Sequence, residues 1–223
     1  RTLEELINIA PDLYNITVFG NEPCGNYNRI LLSPVLAGEK NIEDIMLNEK
    51  SWYEENGIKL YTDKMVVKVD RRNREVVAED GTTEKYDRLL LATGSNPIIL
   101  PISGNDLKGV VSFRNIRDVH TMLEISATHK QALVIGGGLL GLEAANALKQ
   151  QGMYVTVVHL VDSLMERQLD SEAAGMLKRD LEKRGIQFLM ETSTEAILGE
   201  EKVRGARFKG GLEIAADLVV MAV

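Results

Sequence analysis

The chain carries one cysteine, Cys24, which excludes an internal disulfide and any Cys-x-x-Cys metal or redox pair. Cys24 lies between Pro23 and Gly25 with no neighbouring cation to lower its pKa, so it reads as a small loop residue rather than a reactive thiol. Three histidines, His120, His129 and His159, are scattered without metal-ligand spacing, and no metal site is expected. Positive charge is in deficit: 26 Lys and Arg against 33 Asp and Glu give a net charge of −7, where a nucleic-acid surface demands clustered Lys and Arg. The richest basic stretch, Arg71, Arg72 and Arg74, reads as a solvated hairpin tip. No apolar run approaches the roughly 20 residues that span a bilayer, and no signal peptide opens the chain. The expectation is therefore a cytoplasmic protein with neither membrane nor nucleic-acid partners.

What is present is an ordinary α/β composition, 44% hydrophobic and 26% charged over 223 residues, enough for one large core or two modest ones. Its most specific feature is ALVIGGGLLGLEAANAL at 132–148, with the fingerprint Gly136-x-Gly138-x-x-Gly141 after an apolar strand and before a helix. The first glycine permits the tight turn, the second lets backbone approach a pyrophosphate, and the third lets helix pack on strand. Phosphates then meet the free N–H groups and positive end of that helix. A glycine turn with only a structural role is the plainer alternative.

Around this motif the hydrophobic periodicity predicts strands at 132–136, 154–160 and 186–190, helices at 139–151 and 171–184, and a hairpin-like stretch ending in the apolar strand LVVMAV. The first half has the same order. A helix at the start gives way to a strand at 16–19 and a loop from Gly20 to about Gly38. A short helix near 41–56, a strand at 58–61, a hairpin turning at Arg72-Asn73 and an apolar strand within 86–97 follow. Trp52 and Tyr53 read as packing residues of the short helix. Gly57-Ile-Lys-Leu matches Gly185-Ile-Gln-Phe, and Asp87 before LLLATG matches Asp217 before LVVMAV, at spacings of 128 and 130 residues. Such a period denotes two copies of one domain type, not a solenoid, whose period is roughly 20–50 residues. The fold expected is α/β with two Rossmann-like, three-layer dinucleotide-binding lobes, cut within a motif at both ends.

Several residues are candidates for contact with ligand. His159 stands where a carboxylate usually grips the adenosine ribose, with Asp162 three residues on. An imidazole there fits a ribose, a 2′-phosphate assisted by Arg167, or simply the polar end of a strand. Glu143 is placed in the first turn of the fingerprint helix, facing the cofactor or lying on the surface. Glu22, shortly after the strand at 16–19, is the candidate ribose acid of the first copy, with a plain loop carboxylate as the alternative. Arg29 suits a bidentate pyrophosphate contact, although loop arginines are commonly solvated. Thr93-Gly94 is expected at the carboxyl edge of its strand, the side on which open α/β sheets bind ligands.

YNRILLS, LLLATGSNP, VIGGGLLGLEAANAL and MERQLD, in this order, resemble the two-dinucleotide flavoprotein reductases, the FAD- and NAD(P)H-dependent pyridine nucleotide oxidoreductases. Within that family the run is similar to the large subunits of assimilatory NAD(P)H nitrite reductases. The resemblance implies a partial FAD domain at 1–103 and a nearly complete NAD(P)H domain at 104–223. It implies hydride transfer from nicotinamide to flavin, and electrons passed onward to an acceptor domain or small redox protein. Arg29, Thr93 and Gly94 would contact FAD, with Glu22 as its ribose acid. Gly136, Gly138, Leu140 and Gly141 would hold NAD(P)H, with Glu143 toward the nicotinamide. The iron–sulfur cluster and sirohaem that reduce nitrite would belong to other parts of a complete protein. Ser33-Pro34 stands where disulfide- and peroxide-reducing members place a cysteine, which argues against a thiol relay. No side chain is assigned as catalytic, because the cofactors carry the chemistry. A stand-alone rubredoxin or ferredoxin reductase is the enzymatic alternative, and a non-catalytic NAD-sensing module is the alternative of another class. A homodimer is compatible with this reading, and NADH against NADPH is left open.

Overall fold

A computed structural model describes residues Arg1–Val223, and the chain divides into two units: 1–28 with 43–94, and 29–42 with 95–223.

In the second unit, five parallel strands form one sheet: β6 (Val110–Ser112), β7 (Gln131–Ile135), β8 (Tyr154–Val158), β9 (Ile186–Leu189) and β13 (Leu218–Met221), in the order β6-β13-β7-β8-β9. The central strands are apolar along their whole length because both faces are covered. All four residues of β13 are buried, as are four of the five in β7. On one face Leu133, Ile135, Val158, Val219 and Met221 pack on Ile197, Ala206 and Phe208 of a three-stranded antiparallel sheet, β10 (Thr194–Gly199), β11 (Val203–Phe208) and β12 (Glu213–Ala215). The alternate residues Val134, Val157 and Val220 are buried on the opposite face. Helix α5 (Leu139–Gln150) packs on β7 and β8 and buries Ala144, Ala145 and Leu148. Antiparallel sheet, parallel sheet and helices make the three layers expected from the sequence.

Two further helices of this unit begin at side-chain caps. α4 (Ile116–Thr128) starts with a reciprocal cap: Asn115 Oδ1 accepts the Asp118 N–H at 3.0 Å, and the Asp118 carboxylate accepts the Asn115 N–H at 3.2 Å. α6 (Ser171–Lys183) starts at Asp170, whose carboxylate accepts the Ala173 N–H at 2.8 Å.

The first unit contains α1 (Thr2–Ile9), a parallel pair β1 (Thr17–Phe19) and β2 (Lys59–Tyr61), and the antiparallel sheet β3 (Val66–Asp70), β4 (Glu75–Ala78) and β5 (Thr83–Lys85). Arg71, Arg72 and Arg74 occupy the β3–β4 turn, where the Asp70 carboxylate accepts the N–H groups of Arg72 and Asn73, each at 3.0 Å. Gly57 and Gly185, matched by the repeat, both adopt positive φ, +63° and +85°, before β2 and β9.

Three expectations are corrected. The strand placed within 86–97 is absent: residues 89–101 have no regular structure, and Leu90 and Leu91 are 67% and 68% exposed. A strand requires a ladder partner. β13, the matching element of the second copy, lies between β6 and β7, and Asp217 before it binds the N–H groups of Lys130 and Gln131 that lead into β7. No strand within residues 1–223 pairs with the backbone after Asp87, so its leucines form no ladder. The loop expected to run from Gly20 to about Gly38 contains a 3₁₀ turn, Arg29–Leu31, and a helix, α2 (Leu32–Leu36). The helix expected near 41–56 reduces to a 3₁₀ turn at Glu43–Ile45 and α3 (Lys50–Glu55). Between them Met46 bridges to Tyr27 and the Leu47 N–H donates to the Asn26 carbonyl at 3.0 Å, which holds this backbone out of a helix. Tyr53 is buried on α3, and its hydroxyl accepts the Asn26 N–H at 3.3 Å.

Candidate dinucleotide site

The turn from β7 into α5 is built around three glycines. Gly136 has φ +123°, and its N–H donates to the Val158 carbonyl at 2.9 Å. A β-carbon there would lie 2.7 Å from the Ala222 carbonyl carbon, so no side chain fits. A β-carbon on Gly141 would meet the backbone of Gly136, its carbonyl carbon at 3.0 Å and its oxygen nearer still. That contact is the close approach of helix to turn. Gly138 is the N-cap of α5, offers no capping side chain, and faces open space. The first N–H groups of α5 have no intrahelical acceptor, and the helix dipole adds positive potential to them. A bare helix N-terminus behind a glycine into which nothing intrudes fits a pyrophosphate. Leu139 and Leu140 sit exposed on the first turn.

The connection after β8 folds back on this turn. The Met165 N–H donates to the Gly137 carbonyl at 3.0 Å, and a β-carbon on Gly137 would lie 2.8 Å from both His159 and Leu164. His159 is buried, its Nδ1 accepting the Gly137 N–H at 3.0 Å and its Nε2 standing 3.3 Å from Glu166 Oε2. An Nδ1 that accepts leaves the ring proton on Nε2, directed at Glu166. His159 is therefore a buried polar residue at the strand end with both ring nitrogens engaged within the protein. Glu166 was not a candidate from sequence: only the fold carries it back to the end of β8.

Glu143 lies beyond the first turn of α5, correcting its expected placement, and its Oε2 accepts the Ser33 hydroxyl at 2.6 Å. The main chain of α2 is tied to the same helix, because Gln151 Nε2 donates to the Leu36 carbonyl at 2.9 Å. Arg29, in the 3₁₀ turn before α2, donates from Nη1 to the Arg114 carbonyl at 2.5 Å, and Arg114 Nη2 donates to Ser95 Oγ at 2.7 Å. Arg114 is a second guanidinium that the pattern of residues did not single out.

The remaining candidates lie in the first unit. Glu22 follows β1, and its carboxylate accepts the Tyr27 hydroxyl at 2.6 Å. That position beyond the carboxyl end of a parallel strand fits a ribose acid. Thr93 and Gly94 lie in exposed irregular backbone rather than at a strand edge, with Gly94 at φ +66° in open space.

The strongest pKa shift belongs to the β4–β5 hairpin, away from the glycine turn. Asp80 is lowered to about 2, first by its hydrogen bond to the Lys64 ammonium and then by the Thr82 N–H. No helix of the chain is long and apolar enough to cross a membrane.

The family model of the pyridine nucleotide-disulphide oxidoreductases matches residues 4–223. Among curated proteins, the chain is 56% identical over 223 residues to a nitrite reductase [NAD(P)H] of Bacillus subtilis strain 168, covering 100% of this chain and 28% of that protein. It is 46% identical over 222 residues to the assimilatory nitrate reductase electron transfer subunit of the same organism, covering 29% of it. The chain thus spans under a third of these relatives. Among solved structures, a ferredoxin reductase of Rhodopseudomonas palustris superposes with a TM-score of 0.86 at 25% identity, over 97% of this chain and 54% of that one. A turn closed to side chains at Gly136 and Gly141, a helix left uncapped and a family match over nearly the whole length lead to one assignment: the chain belongs to the pyridine nucleotide-disulphide oxidoreductase family.

Proposed function

We propose that this chain is the NAD(P)H-oxidising, FAD-reducing module of an assimilatory nitrite reductase, in which electrons continue to an iron–sulfur and sirohaem centre elsewhere in the protein. The observation that carries the donor half is the glycine turn, closed against side chains at Gly136 and Gly141 and open at Gly138. The similarity to nitrite reductase and to the nitrate reductase electron transfer subunit supports the acceptor. On this reading residues 104–223 are the NAD(P)H domain and 1–103 part of the FAD domain.

The residues divide the work by position. Gly136, Gly138 and Gly141 hold the backbone so that the N–H groups at the start of α5 bind the pyrophosphate, and Leu140 gives the first turn an apolar surface. His159 fixes the turn through the Gly137 N–H. Glu143, steadied by Ser33, orients the nicotinamide end. Arg29 and the Thr93-Gly94 backbone serve the FAD phosphates, and Glu22 its ribose. FAD, when bound, supplies the acceptor of the nicotinamide hydride. The protein then contributes orientation and the exclusion of competing reactions, and needs neither a nucleophile nor a general base.

A stand-alone ferredoxin reductase is the second reading, favoured by the likeness to the Rhodopseudomonas palustris enzyme. Anaerobic addition of NADH to the purified protein that carries this chain tests both. Bleaching of a bound flavin followed by reduction of nitrite is expected. A colourless protein, or a flavin that stays oxidised, refutes the donor half. Bleaching without nitrite reduction, but with electron transfer to a ferredoxin, selects the second reading.

A further inference from the structure

We propose that Glu166, presented by His159, is the carboxylate that reads the adenosine ribose, so that the site takes NADH and turns away NADPH. The inference rests on the reading of the glycine turn as a dinucleotide site. In βαβ dinucleotide units an acid at the end of the second strand accepts the ribose hydroxyls. Here that strand is β8, and the residue after it is His159, which has no carboxylate.

The imidazole instead makes two bonds of opposite sense. Its Nδ1 accepts the Gly137 N–H inside the phosphate turn, and its Nε2–H is left to hold Glu166 Oε2 at 3.3 Å. The Met165 N–H, on the Gly137 carbonyl at 3.0 Å, anchors the backbone immediately before Glu166 to the same turn. The carboxylate therefore arrives at the end of β8 from seven residues further along the chain. Its side chain is 43% exposed, and Oε1 has no partner within the protein, which leaves an acceptor for a ribose hydroxyl.

A 2′-phosphate would bring a second anion against the same carboxylate, and like charges in contact discriminate strongly. Arg167 is the group suited to a 2′-phosphate, but it is exposed and makes no bond to the turn. Of the two neighbours, only Glu166 is fixed to the fingerprint.

Equilibrium titration of the intact protein with NADH and with NADPH tests the assignment through binding alone. Wild-type protein is expected to bind NADH at least about tenfold more tightly. Glu166→Gln should weaken NADH by about tenfold while leaving NADPH unchanged or improved, and Glu166→Arg should reverse the preference. In His159→Asn the amide oxygen can still accept the Gly137 N–H, but nothing reaches Glu166. The preference should fall toward unity there, whereas a purely structural role would weaken both nucleotides alike. Equal affinities in the wild type, or a ratio unmoved by Glu166→Gln, overturn the proposal. So does a preference for NADPH that Arg167→Ala abolishes. Failure of the wild type to bind either nucleotide overturns the reading of the site itself, and the proposal with it.

Discussion

Alanine at Gly141 and alanine at Gly138 add the same methyl group to the same turn, and the structure expects opposite consequences. At Gly141 the new carbon would lie 3.0 Å from the Gly136 carbonyl carbon and still nearer its oxygen. Carbon contacts are comfortable at about 3.5–4.0 Å, so α5 and the turn must separate by roughly 0.5–1 Å. Both partners are backbone and cannot rotate away. Overpacking of this kind costs about 1–3 kcal/mol, and the better helix propensity of alanine returns about 1 kcal/mol. Because neither backbone partner can yield, the upper end of that range applies, and the net loss of about 2 kcal/mol should lower Tm by roughly 4–8 °C in a chain of this size. At Gly138 nothing lies within 4 Å of the added carbon, and φ is −81°, which alanine adopts freely. Stability there should change by less than about 1 kcal/mol, because the smaller entropy of the unfolded chain is offset by the poorer N-cap that alanine makes. The methyl group would, however, occupy the space that a pyrophosphate must enter, and NADH affinity should fall at least about tenfold. Thermal unfolding and NADH titration of the two variants separate the effects. A Gly138→Ala protein that binds NADH like the wild type, or a Gly141→Ala protein that melts no lower than it, would refute the reasoning.

Other outcomes follow from single contacts. Ser33→Ala leaves the half-buried Glu143 carboxylate without its hydroxyl donor and should cost about 1–3 kcal/mol, read by denaturant unfolding, with Glu143→Gln losing less. Phe208→Ala empties the space between the two sheets of the second unit and should cost about 3–5 kcal/mol in the same assay. Asn115→Ala removes the acceptor of the α4 cap and should cost about 1 kcal/mol. Asp80 has a folded pKa below its unfolded value near 3.8, so its contribution is present above that pH and disappears as the pH falls toward about 2. Asp80→Asn should flatten this part of the unfolding-versus-pH curve, and a curve that keeps its wild-type slope between these limits would show that the Lys64 contact does not act on stability.

The β7–α5–β8 unit was legible because its signals are local: an apolar run, three glycines at fixed spacing, a helix of small residues and a second apolar run. Three-layer packing followed, since strands apolar at every position need cover on both faces. The same rule misled at 86–97, where the apolar pattern equals that of β13 but the ladder partner is missing. Composition records what a segment can bury, not what lies beside it. α2 was hidden for another reason, since its five residues are too few for a periodic signal and follow a loop rich in asparagine. The site was half legible. Glycines announce themselves by spacing, whereas Ser33 meets Glu143 across 110 positions and His159 hands its second nitrogen to a glutamate that no strand end predicts.

The two hydrogen bonds that run from the β8–α6 connection to Gly137 have a consequence for how such sequences can vary. Gly137 gives its N–H to one residue of that connection and its carbonyl to another, so two stretches far apart in sequence form one rigid corner. A change at 159–165 should be felt in the glycine turn without touching a glycine. Drift at His159 or Leu164 should therefore be accompanied by compensating change at Gly137 and its neighbours. The fingerprint is longer than its three glycines, and its last letters are written after the second strand.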